Sequence, residues 1–237
     1  MDHREDQNRI LKSLAYSAVL LVLMWLVHGL IYFLQIDKSN LANIPGHVRG
    51  LLGILTSPWV HDDIPHLIGN SGPLFFFFAA NLYYYPSSAW KALVGIWLLT
   101  GIWVWIAAPT AAIIGASGVV YGLGAFLFFN GIFKRDRRSL MLSLVIAIFY
   151  GTMVVGIFPG KTGVSWESHL FGALAGIAMA WGFRKKDVQP RKRYRWEDEP
   201  DHEPQDEAAP WNYRQNWPGS SNYYVPGESK PHDPFTE

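Results

Sequence analysis

The 237-residue chain contains no cysteine, which excludes disulfides, thiol nucleophiles and thiolate metal sites. Charge is also scarce and nearly balanced. Lys plus Arg number 20 against 19 Asp plus Glu, so no excess of one sign points to a nucleic-acid partner. The scarcity is uneven: up to about residue 184 the chain carries long uncharged apolar stretches, and beyond that it is polar. A mean hydropathy near zero averages these two unlike parts, and it has to be resolved along the chain.

The first apolar run extends from Ser13 to about Ile36. It is too long for a signal-peptide core of roughly 7–15 residues. It is long enough to cross a bilayer, which takes about 20 residues of helix, and it is read as a retained transmembrane helix. Five more apolar segments follow, at roughly 65–85, 89–107, 117–133, 139–158 and 166–183. The breaks between them carry turn or charge signals: Tyr85-Pro86-Ser87-Ser88, Ala108-Pro109-Thr110, Lys134-Arg135-Asp136-Arg137-Arg138, and Pro159-Gly160-Lys161-Thr162-Gly163. Backbone in lipid must satisfy its own hydrogen bonds, so each segment is expected to be a helix. The expected fold is an all-α membrane protein with six spans.

Basic residues set the orientation. Arg4, Arg9 and Lys12 precede the first segment, Lys91 follows the second, four basic residues follow the fourth, and Arg184, Lys185, Lys186, Arg191, Lys192, Arg193 and Arg195 follow the sixth. The other side has Lys38, Arg49 and Lys161. Both termini are therefore expected to be cytoplasmic. Residues 1–12 read as a cytoplasmic N-terminus, 13–184 as a six-helix domain, and 185–237 as a cytoplasmic disordered tail without periodicity. Trp97, Trp103 and Trp105 fall toward the outer end of the third segment, where interfacial aromatics are expected. The external stretch 37–60 is unusually apolar, with Leu51, Leu52, Ile54, Leu55 and Trp59.

Ionisable groups inside a membrane are rare and usually functional. In this topology the second, fourth and sixth segments all begin on the outer side. They bring His66 and Asn70, Ser117, and His169 to that side at similar depth. From Ser117 to Lys134 is seventeen residues, or about 25 Å of helix, against a hydrocarbon thickness of about 30 Å. Ser117 is thus expected a few ångströms below the outer surface, with Thr110 to Ala116 as irregular backbone dipping to meet it. Irregular backbone at depth requires protein burial or a wet cavity, and hydrolysis requires water.

Gly115-Ala116-Ser117-Gly118 places a serine at a helix start, where the unpartnered first amides favour a developing oxyanion. A serine N-cap in a small-residue helix contact has the same pattern. His169-x-x-Gly172-x-x-x-Gly176 puts an imidazole one turn before a small-residue face that lets a helix approach closely, and Gly118, Gly122 and Gly124 could supply that helix. A buried neutral imidazole suits a general base for a serine hydroxyl, while one satisfied by a backbone carbonyl would be structural. Glu167 lies two residues from His169, pointing elsewhere on the helix, and Asp62 and Asp63 precede the second segment as solvated or capping groups. The reading is a Ser–His dyad without an acid.

These residues resemble the rhomboid family of intramembrane proteases. His61-x-x-x-x-His66-x-x-x-Asn70 resembles its histidine–asparagine pattern, Gly115-Ala116-Ser117-Gly118-Val119-Val120-Tyr121 its nucleophile motif, and His169-x-x-Gly172-x-x-x-Gly176 its base motif. The resemblance covers roughly residues 10–184. It implies a serine endopeptidase that cuts transmembrane protein substrates near their extracytoplasmic ends without a cofactor. A bacterial plasma membrane is the expected setting, and the orientation alone also fits an organelle. The resemblance implies Ser117 as nucleophile and His169 as base, with His66, Asn70 and the Ser117 amide around the oxyanion. Tyr121 would stack on His169, and His61 would hold loop and helix together. The fifth helix and loop 159–165 would form a lateral gate and cap. The family's Trp-Arg pair in the first external loop is missing here; Leu51-Leu52-Gly53 stands in its place, with Arg49 upstream. Two other readings are a non-catalytic relative that binds clients or thins the bilayer, and a transporter or metal protein built on His61, His66 and His169 with Asp62 or Asp63.

Overall fold

The structure is a computed structural model in which residues 3–108, 112–159 and 165–188 are described. Among them, every long element is a helix. The order is α1 (His3–Phe33), the single turn α2 (Gly53–Thr56), α3 (Ile64–Tyr84), α4 (Ala89–Ala107), α5 (Ser117–Lys134), α6 (Arg137–Tyr150) and α7 (Trp166–Gly182). Short 3-10 turns at Lys38–Leu41, Val48–Leu51 and Ser57–Trp59 fold the 37–60 stretch against the bundle.

The expected breaks become caps. Asp63 accepts from the His66 amide at the start of α3, Asp136 from the Ser139 amide at the start of α6, and Ser165 from the Ser168 amide at the start of α7. Each satisfies an amide that a helix start leaves unpaired. Arg135, in the left-handed region at φ 56°, closes α5 and turns the chain into α6.

Two boundaries differ from expectation. Helix α1 starts at His3, ten residues before the apolar run, because Arg4, Glu5, Arg9 and Lys12 are good helix formers that continue the helix without being apolar. The fifth apolar segment stays α-helical only to Tyr150, then tightens into a 3-10 segment, Gly151–Ile157. Lys91, expected in a loop, sits in the first turn of α4.

The outside of the bundle is apolar. Helix α1 exposes Leu14, Val19, Val22, Leu23, Leu26 and Leu30, and α6 exposes Leu140, Met141, Leu144, Val145, Ile148 and Phe149. The stretches His3–Phe33, Ala89–Ala107, Ser117–Lys134 and Arg137–Ile157 are long and apolar enough to cross a membrane. An apolar exterior of this kind belongs in lipid, and the chain is an integral membrane protein. Inside, Phe77, Phe78, Ile96, Leu123, Phe126 and Leu127 are almost completely buried.

In lipid, helices associate by close packing rather than by escape from water. The tightest contact here is α5 against α7. The Gly118 and Gly122 carbonyl oxygens lie directly on Gly172 and Gly176, where a methyl group would collide with them. Gly124 does not take part as expected; it faces the Phe77 ring of α3.

The far ends of the helices are tied by polar contacts. The Tyr83 hydroxyl donates to Asp6 at 2.9 Å, the Ser88 hydroxyl to Asp187 at 2.6 Å, and Lys134 Nζ to the Lys186 carbonyl at 2.6 Å. Arg138 lies over the Tyr83 and Tyr84 rings. The first residues of α1 and the last residues of α3, α5 and α7 thus meet at one end, where the basic residues collect. The starts of α3, α5 and α7 lie at the other. The expected disordered tail falls almost wholly on residues 189–237, outside the described residues.

Candidate active site

The starts of α3, α5 and α7 surround one cavity of about 990 Å³. Its lining includes His66 and Asn70 from α3, Ser117 and Tyr121 from α5, and His169 from α7. Five residues from three sequence motifs therefore face one space. Tyr150 and Met153 add an apolar side, and Asp62, Asp63 and Glu167 an acidic one. Pro73 lies inside α3 and removes the helical bond to the Gly69 carbonyl; both residues line the cavity.

Ser117 is the first residue of α5, following Ala116, which makes no side-chain cap. Gly115 precedes them at φ +108°, a backbone state that L side chains rarely adopt. A Cβ on Gly115 would sit 2.7 Å from His66 Nε2 and 3.7 Å from Asn70 Nδ2. The loop backbone therefore passes directly under both α3 side chains, two residues before Ser117. The Asn70 amide makes one long bond of 3.3 Å to the His66 carbonyl, leaving its second hydrogen available.

The 37–60 stretch holds this loop in place. Asn43 and Ile113 form an antiparallel bridge, with the Asn43 amide donating to the Ile113 carbonyl at 2.9 Å and the Ile113 amide to the Asn43 carbonyl at 2.8 Å. The Gly115 amide donates to the Ser57 carbonyl at 2.9 Å, and the Ala116 amide reaches His61 Nε2 at 3.4 Å. Asn43 itself is anchored by its side-chain amide, which donates to the Gly101 carbonyl at 2.8 Å. The stretch is braced without a Trp-Arg pair. The Trp97 indole donates to the Ile54 carbonyl, the Trp105 indole to the His47 carbonyl, and the Thr56 hydroxyl to the Leu41 carbonyl. Trp97 and Trp105, expected as interfacial aromatics, thus spend their N–H groups on this loop. Asn43 and Ser57 carry no motif and were not legible as site residues.

His61 lies in the loop before α3, close to His66 in the first turn of that helix. Their ring centroids are 5.1 Å apart, edge to face. Complete burial, then the neighbouring His66, push the His61 imidazole down to about 4, with the Trp59 backbone opposing in part. His61 is therefore neutral in the fold, while the unfolded chain takes up a proton below about 6.5. Stability is unaffected above that value and declines as pH falls from about 6.5 toward 4, by roughly 3 kcal/mol in total. Thermal unfolding in detergent across this range is expected to show that slope. His61→Gln is expected to lower stability at pH 7 and to flatten it.

His169 is nearly buried. Its Nδ1 lies 2.9 Å from the Gly156 carbonyl in the Gly151–Ile157 segment, and its ring stacks on Tyr121 with centroids 4.0 Å apart and planes at 7°. Tyr121 is one turn after Ser117 on the same face of α5, so the stack brings the imidazole to the Ser117 side of the cavity. Glu167, expected to point elsewhere, also lines the cavity and accepts from the Ser165 hydroxyl at 3.2 Å. The Nδ1 position that an acid could occupy is taken by Gly156. Among the described residues no three His, Asp or Glu side chains gather as a metal ion would need. Of the expected cap, residues 160–164 lie outside the described residues.

The family model described as the rhomboid domain matches residues 49–186, more than half of the chain. Uncharacterized proteins of Mycobacterium tuberculosis (Rv1337) and Mycobacterium bovis (Mb1372) are each 34% identical over 148 residues, 58% of this chain and 61% of theirs. An uncharacterized protein of Mycobacterium leprae (ML1171) is 28% identical over 190 residues, 74% of each chain. The chain thus spans less than two thirds of the length of the first two. The matched residues run from the 37–60 stretch through α7 and include every cavity residue named in the three motifs. By that match, the chain belongs to the rhomboid family.

Proposed function

We propose that this protein is an intramembrane serine endopeptidase with Ser117 as nucleophile and His169 as general base. The observation that carries the reading is the Gly156 contact. A carbonyl only accepts hydrogen bonds, so a neutral His169 carries its proton on Nδ1 and keeps the Nε2 lone pair free. Nε2 removes the Ser117 proton as Oγ attacks a substrate carbonyl. The same proton then passes to the leaving amine, and water hydrolyses the acyl-enzyme by the reverse use of His169. The Ser117 amide at the helix start, Asn70 and His66 donate to the oxyanion. No cofactor enters the reaction.

The substrates are transmembrane helices cut near their extracytoplasmic ends. An intact helix hides its carbonyls in its own hydrogen bonds, so segments that unwind easily are preferred. The protein crosses the membrane six times, through α1, α3, α4, α5, α6 and α7, with both termini in the cytoplasm of a bacterium. The clustering of basic residues at the end opposite the cavity supports that orientation. Residues 13–184 form the protease domain, 1–12 a cytoplasmic N-terminus and 185–237 a cytoplasmic tail. Helix α6 and the loop after it form the substrate gate.

A fluorophosphonate probe is expected to label the detergent-solubilised protein, and Ser117→Ala to abolish labelling. Labelling that survives in Ser117→Ala would remove Ser117 from the mechanism. A folded wild type that never labels would argue against the protease reading.

A further inference from the structure

We propose that the main-chain carbonyl of Gly156 is a positioning group for His169, filling the place that a carboxylate takes in a Ser-His-Asp triad. The inference rests on the protease reading above and adds a residue to it. Two contacts at right angles fix the imidazole. Tyr121 covers one ring face at 4.0 Å, nearly parallel, and the Gly156 oxygen meets the ring edge at Nδ1, 2.9 Å away. The stack alone allows the half-turn flip about Cβ–Cγ that exchanges the Nδ1 and Cδ2 edges; the carbonyl favours one of the two orientations and the tautomer with Nδ1 protonated.

The carbonyl is placed by local geometry. The α-helix ends at Tyr150, and the tighter 3-10 winding of Gly151–Ile157 carries Gly156 to the cavity wall. The absence of a side chain at 156 is required there. A Cβ would collide with the Tyr121 hydroxyl and come within 3.3 Å of His169 Nδ1. No residue of this 3-10 segment is fully buried; the partly buried Met153 side chain and the Gly156 carbonyl are its contacts toward the core and the site. The base is aimed while that segment is seated, and loses its aim when the segment lifts. A neutral carbonyl supplies direction without the negative charge by which a carboxylate also stabilises the imidazolium.

The test reads the tautomer directly. In 15N-histidine-labelled full-length protein in detergent micelles, His169, assigned by its loss in His169→Ala, is expected to show a protonated Nδ1 and a bare Nε2 at neutral pH. Gly156→Ala is expected to mix the two tautomers and to lower kcat at least about tenfold with KM little changed. Adding Tyr121→Phe removes the hydroxyl that the new methyl meets and is expected to recover part of the Gly156→Ala loss. A wild-type His169 protonated on Nε2 would overturn the proposal. So would a Gly156→Ala variant that keeps wild-type kcat. If Gly156→Ala fails to fold, the wild-type tautomer decides alone. A wild type with the Nδ1 proton that cuts nothing would instead overturn the protease reading.

Discussion

Replacing His169 by alanine is expected to lower cleavage about 10³- to 10⁴-fold, with a fold that survives. The imidazole makes two contacts, the Gly156 bond and the Tyr121 stack, and the stack joins α7 to α5 only near their starts. The packing of α7 on α5 instead lies deeper, at Gly172 and Gly176. The other bases in the cavity have other engagements, Glu167 with the Ser165 hydroxyl among them. The His66 ring edge lies beside Gly115, and Asp62 and Asp63 belong to the loop at the start of α3, with Asp63 engaged in capping. Turnover of a reconstituted transmembrane substrate, measured beside thermal unfolding of the same preparation, separates lost chemistry from lost structure. Loss of cleavage together with loss of the folded state would assign His169 a structural role.

Gly172→Ala is expected to cost about 3 kcal/mol or more, among the larger effects of a single methyl group. The added carbon falls on the Gly118 carbonyl, with the Gly118 Cα at 3.0 Å. Backbone on both sides cannot yield as a side-chain end would, so α7 must move off α5 and lose contacts along its length. Activity is expected to fall with stability, because His169 rides on α7 one turn away and would be drawn from Tyr121. Gly182→Ala serves as the control, since nothing lies within 4 Å of a Cβ there. The two are compared by detergent-denaturant titration of secondary structure. Equal midpoints would show that the α5–α7 contact tolerates separation.

The helices were legible because charged or proline-bearing breaks separate the apolar runs and Asp63 stands where a cap is wanted; the Asp136 and Ser165 caps came only with the structure. The cavity residues were legible for a related reason, since polar groups at three helix starts on one side of a membrane have few innocent explanations. What escaped is local geometry with no compositional signal. Nothing in Gly-Thr-Met-Val-Val-Gly-Ile announces a switch from α to 3-10 winding, or that the Gly156 carbonyl turns to His169. Asn43 and Ser57 act through main-chain groups on the nucleophile loop, and main-chain bonds are available to any residue type. Hydropathy likewise located the apolar part of α1 but not its first ten residues, where the helix continues through charged residues.

In the proposed reaction Ser117 cuts transmembrane helices from the cavity at the helix-start side of the bundle. Purified protein reconstituted in liposomes with a single-span substrate tests it, with the products mapped by mass spectrometry. One cut is expected within a few residues of the extracytoplasmic end of the substrate helix, and none with Ser117→Ala. Cleavage that persists in Ser117→Ala, or a cut at the cytoplasmic end of the helix, would contradict it.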